Sequence, residues 1–215
     1  MRRIQVKTIL VFIVLMCHSP LFSQKNFEKH EFSVHAGYGN MIHETPTLTL
    51  PTHSYQRKLA QGVSWDAQYL FRPLKRFIFG AVYSGFSSQG SHAEGKDHLW
   101  IHYFGPQIGI CNAHTERWQI RMSMSGGVLF FRNNSEVFGK PRKVTGKNIG
   151  ILLNSAATYK LTPHLGIGVG MQYLISGLFC MNSRYHGETV KVWLDSEHAS
   201  ELTRLNISGG LSYYF

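Results

Sequence analysis

The chain has 215 residues, about one domain at ~100 to 200 residues per domain, so a multi-domain machine is excluded. Charged residues make up 16% against a soluble norm of ~25%, while aromatics reach 13% and glycines number 21; neither a disordered chain nor an ordinary cytosolic enzyme has this balance. The formal net charge is +10, and the composition as a whole suits a glycine-punctuated β protein.

Residues 1–23 carry the three parts of a secretory signal: the cations Arg2, Arg3 and Lys7, the apolar run from Ile9 to Cys17, and a cleavage-like Leu21-Phe22-Ser23 before Gln24. The run is shorter than the ~20 residues a helical membrane span needs, so cleavage is expected rather than anchoring. Cys17 follows a methionine where a lipoprotein box carries a small residue, so lipidation is not expected. The barrel domain is then 24–215. Without the leader, 19 Lys and Arg stand against 12 acids, a charge of +7 that suits an anionic membrane surface.

From Glu31 onward the hydrophobic period is two, with no sustained helical stripe. The first segment, 31–41, puts Phe32, Val34, Ala36 and Tyr38 on one face. The second sets Val63, Trp65, Ala67, Tyr69 and Phe71 against Ser64, Asp66 and Gln68. The third is 77–86. The fourth, 98–111, is interrupted by Gly105-Pro106, where a bulge could reverse the facing of Trp100, His102 and Phe104. The fifth opposes Trp118, Ile120, Met122, Met124, Val128 and Phe130 to Gln119, Arg121, Ser123, Ser125 and Gly127. The sixth is 148–160.

In the seventh, 165–174, Leu165, Ile167, Val169, Met171 and Tyr173 alternate with Gly166, Gly168, Gly170 and Gln172, leaving one face nearly bare backbone for close approach inside a narrow barrel. The eighth sets Leu205, Ile207, Leu211, Tyr213 and Phe215 against Asn206, Ser208, Gly210, Ser212 and Tyr214. Connections 72–76, 112–117 and 161–164 are short, whereas 42–61, 87–97, 132–147 and 175–200 are long. Strict alternation of short and long is the pattern of an up-and-down barrel with tight periplasmic turns and longer outside loops. The fold class is therefore all-β: an eight-stranded antiparallel transmembrane barrel, both termini periplasmic. Cys111 and Cys180 then fall near opposite ends, too far apart to bridge.

With its leader, eight amphipathic segments and alternating loops, the chain resembles the small eight-stranded outer-membrane β-barrels, the family typified by the OmpA transmembrane domain and OmpX. The closing Leu211-Ser212-Tyr213-Tyr214-Phe215 is similar to the C-terminal signal read by the barrel-assembly machinery, with Leu211, Tyr213 and Phe215 as its apolar positions. The resemblance implies an integral outer-membrane location in a Gram-negative-type cell.

The polar face also points to a membrane barrel. It carries mainly Ser, Gly, Gln, Asn and Thr, too few charges for a solvated surface but suited to an enclosed lumen. Eight strands leave an interior just wide enough for side chains, so a wide pore is excluded. His35, Asp66, Arg121 and Arg204 are the expected members of an interior ion network, with a narrow ion path as the alternative reading of the same residues.

Eleven histidines remain after the leader but are scattered, His43 and His53, His92 and His98, His186 and His198 lying in separate loops, so no metal site and no cofactor are expected. Some small barrels modify lipid A with Ser and His; here Ser183, His186 and Glu188 lie near each other, as do Ser91 and His92, but the His-x-Ser-Asn string of the deacylases is missing. The third long loop carries Arg132, Lys140, Arg142, Lys143 and Lys147 against Glu136, a local charge of +4 whose natural counterpart is phosphate on lipopolysaccharide. Interleaved stacking aromatics are lacking, which disfavours nucleic acid. Val190, Val192 and Leu194, and Thr47-Leu48-Thr49-Leu50, alternate like strands projecting from the barrel, either open to a partner strand or paired as closed hairpins. The function read from these features is a non-enzymatic outer-membrane barrel whose loops contact lipopolysaccharide or an external protein. A lipid A modifying acyl hydrolase or transferase is the alternative, and a narrow ion channel the third reading.

Overall fold

The computed structural model describes residues 28–42, 53–74, 76–92, 95–113, 117–137, 139–178, 180–185, 188–193 and 200–215. The proposed leader and Thr47 to Leu50 lie outside them. Among the described residues, eleven strands and one helix follow in chain order: β1 (His30–Met41), α1 (His53–Ala60), β2 (Gln61–Phe71), β3 (Phe77–His92), β4 (Gly95–Ala113), β5 (Trp118–Val137), β6 (Lys140–Lys160), β7 (Leu165–Leu178), β8 (Cys180–Tyr185), β9 (Glu188–Trp193), β10 (Ser200–Glu201) and β11 (Arg204–Tyr214).

Strands β1 to β7 and β11 pair antiparallel in order, and β11 pairs back on β1, closing an eight-stranded barrel. Moving perpendicular to the strands from Glu31, the register passes Leu70, Gly80, Gln107, Ser125, Leu152, Leu174 and Arg204 and returns at Met41. That offset between start and return tilts the strands about 40° from the barrel axis, given ~3.3 Å of rise and ~4.8 Å between strands.

The period of two survives as a division between outside and lumen. Phe32, Val34, Tyr69, Phe79, Ile108, Ile120, Met124, Val128, Val169, Ile207 and Leu211 are exposed outward, while Ser33, Gln68, Ser84, Gln107, Ser123, Asn154, Gln172 and Ser212 are buried. Exposed apolar side chains continue over roughly ten residues of each strand, a belt about 25 Å tall at this tilt and the height of a transmembrane barrel's apolar band. Rings mark its edges: His30 stacks with Phe215 at one end, and Tyr83 bonds the His102 imidazole toward the other at 2.7 Å.

The structure departs from the sequence reading in two features and decides two that it had left open. Strands β3 to β6 run well past the expected ends, so most of 87–97 and 132–147 is strand, not loop. Apolar alternation stops where the belt stops, but backbone pairing needs no apolar face and continues to His92 with Gly95 and to Val137 with Lys140, beside Gly139 at a positive φ of 74°. The connection 175–200 likewise holds the β8–β9 hairpin, which pairs with itself and, through β8, with β6. The register of β4 is unchanged across Gly105-Pro106, so no bulge forms and Trp100, His102 and Phe104 keep facing outward.

The second departure is α1. Eight residues are too few to display a helical stripe, yet Tyr55 and Leu59, one turn apart, are both buried at the outer mouth of the lumen. They pack into a cluster with Phe86, Leu99, Ile101, Tyr103, Leu129, Leu152, Leu174 and Leu178. An apolar layer thus crosses the lumen beneath α1, with polar side chains lining the lumen further in and Ser88, Asp97, Asn133 and Ser135 buried at the mouth. Cys111 and Cys180 are both free thiols.

Candidate functional site

Two regions concentrate charge: the inner lumen and the strands that project beyond the belt. At the end of the lumen beside the C-terminal Phe215, Glu31 is gripped by two guanidiniums, Arg72 and Arg121, all three buried. Arg72 also donates to Gln119 at 3.0 Å, and Arg121 to Ser33 at 3.1 Å. Lys160 pairs with Glu28 and, like Arg72, lies over the Tyr214 ring. The bare face of β7 makes this crowding feasible: a Cβ on Gly166 would sit 2.8 Å from Thr158 Cγ2 and 3.2 Å from the Tyr214 ring.

Midway up, His35 Nδ1 is 2.9 Å from Asp66 Oδ1, Gln68 Nε2 donates to the same oxygen at 2.7 Å, and Asn154 donates to Gln68 at 2.9 Å. Arg204 donates to Ser84 at 2.8 Å, and Ser84 donates to Gln172 at 2.9 Å. All four residues expected in an interior network are buried in the lumen, but they divide into separate sets: His35 with Asp66, Arg121 with Glu31 and Arg72, and Arg204 with Ser84. Glu31 and Arg72 were missed because one begins a strand and the other begins a turn. The signal for Glu31 was its phase, two residues before Ser33 and four before His35.

At the outer mouth Asp97 accepts from the Tyr55 hydroxyl and from Asn133 Nδ2 at 2.8 Å, tying α1 to β4 and β5. Above it, outward-facing side chains form rows across the projecting sheet. One row joins Trp100, Arg132, Thr145, Asn182 and Lys191; the next joins His98, Asn134, Lys143, Arg184 and Thr189. Desolvation lowers the His98 imidazole pKa below its ordinary value, leaving it a neutral hydrogen-bonding group at pH 7, with Ser87 Oγ at 3.0 Å.

The structure separates the five basic residues expected to act together. Arg132 lies over Trp100 and Lys147 over Phe130, each two residues beyond an exposed apolar side chain of the belt (Phe130 and Ile149). Lys140, Arg142 and Lys143 stand higher, Lys143 on the outward face beside Arg184 of β8 and Arg142 on the other face beside Tyr185, at a groove of about 420 Å³ that Asn134, Ser135 and Pro141 also line. Burial lowers the Arg142 pKa while Asp97 and Tyr185 raise it, so the guanidinium remains a cation.

No protein-family model matches the chain, and none of the curated proteins does. Solved structures do. Neisserial surface protein A aligns with a TM-score of 0.56 at 12% identity over 86% of this chain and 97% of its own. A major outer membrane protein of Thermus thermophilus gives 0.55 at 13%, covering 86% and 99%. OprG from Pseudomonas aeruginosa gives 0.54 at 8%, covering 90% and 99%. The fold is that of the small outer-membrane barrels. At these identities the likeness extends to architecture alone.

Of the serine and histidine groupings, Ser183 Oγ accepts from Arg142 Nε at 3.2 Å. His186, His43 and His198 lie outside the described residues, as does the side chain of His92. Leu211, Tyr213 and Phe215 all point outward at the foot of the barrel, about half exposed.

Proposed function

We propose that the protein is an integral outer-membrane barrel without catalytic activity, whose projecting strands contact the anionic outer leaflet. The observation that carries this is the height of Arg132 and Lys147. Both stand on the outer face just past the apolar belt, each over an aromatic side chain of its neighbour strand, where lipid phosphates meet a membrane barrel's rim. Lys191 over Trp193, which is 71% exposed, extends the same line on β9. The leader and the outward Leu211, Tyr213 and Phe215 fit export followed by insertion through the barrel-assembly machinery. A lumen filled by hydrogen-bonded side chains and stoppered by α1 favours a scaffold over a conduit.

The test is urea unfolding of the barrel in phosphatidylcholine vesicles with and without lipid A. Lipid A should stabilise the wild type by about 2 kcal/mol, at ~1 kcal/mol for each of the two cations near the surface. Arg132→Gln with Lys147→Gln should remove most of that gain. Equal stabilisation of the double variant would refute the lipid contact.

A further inference from the structure

The projecting sheet holds a second basic site that lies too high to serve the lipid phosphates. Lys143 and Arg184 are register partners on β6 and β8, so two like charges face each other across one ladder. Direct cross-strand neighbours have Cβ atoms about 4.5 to 5.5 Å apart, and like charges at that spacing destabilise a sheet. Among the described residues neither is paired with a carboxylate. Asn134, beside Lys143 in its row, adds a neutral donor, while Arg142, the partner of Ser135 and Tyr185, lies on the opposite face of β6. The two cations border a groove of about 420 Å³ that Asn134 and Pro141 also line, a volume that suits a charged sugar unit.

Height selects among anions. Lys143 is six residues beyond Ile149 on the same face, about 15 Å further from the belt at this tilt. Phosphates attached directly to the lipid anchor lie at the belt's rim, by Arg132 and Lys147. A group reaching Lys143 and Arg184 must be carried outward on saccharide.

We propose that the groove bordered by Lys143 and Arg184 binds a phosphate-bearing sugar of the outer leaflet's glycolipid, above its lipid anchor. The Lys143 and Arg184 pair takes one phosphate between its two heads. Asn134, next in the same outward row, supplies a neutral donor beside it. This rests on the outer-membrane reading above, and its test separates the two.

The soluble probe is inositol hexakisphosphate, titrated against the folded barrel in zwitterionic micelles. Lys143→Gln with Arg184→Gln should weaken binding at least tenfold, while Arg132→Gln with Lys147→Gln should change it less than threefold. Heat-modifiable migration on gels confirms that each variant is folded. Equal losses in the two pairs, or no binding by the wild type below millimolar probe, would overturn the groove. In the lipid arm, vesicles containing glycolipid with a phosphorylated core should bind the wild type at least fivefold more tightly than vesicles of lipid A, and the Lys143 and Arg184 variant should lose that increment. If lipid A binding depends on Arg132 and Lys147 but the core adds nothing, the groove proposal fails and the membrane-contact reading stands. If lipid A does not bind while the soluble probe does, the reverse holds.

Discussion

His35 and Asp66 are register partners across β1 and β2, and the imidazole Nδ1 lies 2.9 Å from the carboxylate Oδ1 inside the lumen. The carboxylate also accepts from Gln68, and Arg204 is the next cation above it. Asp66→Asn keeps the shape and removes the charge that offsets Arg204. It should destabilise the barrel by about 3 kcal/mol, the scale for removing one partner of a buried ion pair. The urea midpoint in vesicles measures this, and a shift under a quarter of that size would show that Arg204 does not depend on Asp66.

Among the described residues, Glu31 is the single carboxylate paired with both Arg72 and Arg121. Glu31→Gln leaves two buried guanidiniums facing each other and should cost about 3 to 5 kcal/mol by the same unfolding measurement. Adding Arg121→Gln should restore part of the loss, because the second substitution removes the repulsion that the first creates.

The seam between β1 and β11 closes where both strands carry glycine. A Cβ on Gly37 would lie 2.0 Å from the Ile207 carbonyl oxygen, whereas one on outward-facing Gly209 meets nothing nearer than 3.7 Å. Gly37→Val should abolish heat-modifiable migration after refolding, and Gly209→Val should leave it intact.

The belt should respond to charge according to height. Ile207, 63% exposed near mid-belt, should cost about 2 to 4 kcal/mol as Ile207→Arg. Thr145, on the projecting part of β6, should cost less than about 0.5 kcal/mol as Thr145→Arg. Unfolding in vesicles checks the pair, and equal costs would mean that the belt does not contact hydrocarbon.

The barrel was legible because each belt-level residue of a lipid-facing strand has only two environments, and Ile207 against Ser208 or Ile120 against Arg121 reports which one. Where strands rise past the belt both faces turn polar, so 87–97 and 132–147 read as loops although their backbones stay paired. Helix α1 was hidden because, among its described side chains, Tyr55 and Leu59 alone are buried. The candidate site was half legible: the charge run from Arg132 to Lys147 stood out, but Arg184, distant in sequence, joins it only through the pairing of β8 with β6. That run also concealed a difference in height, since residues near in sequence on a rising strand reach different levels above a membrane.

Spin labels placed singly along β5 from 119 to 134, with Cys111 and Cys180 replaced by serine, test the central claim most directly. In vesicles, collision with dissolved oxygen should peak at 120, 124 and 128 and fall at 121, 123 and 125, with a water-soluble nickel reagent taking over by 132. Oxygen maxima at 121, 123 and 125 instead, with 120, 124 and 128 shielded, would mean that the chain buries its apolar face and that no membrane surrounds it.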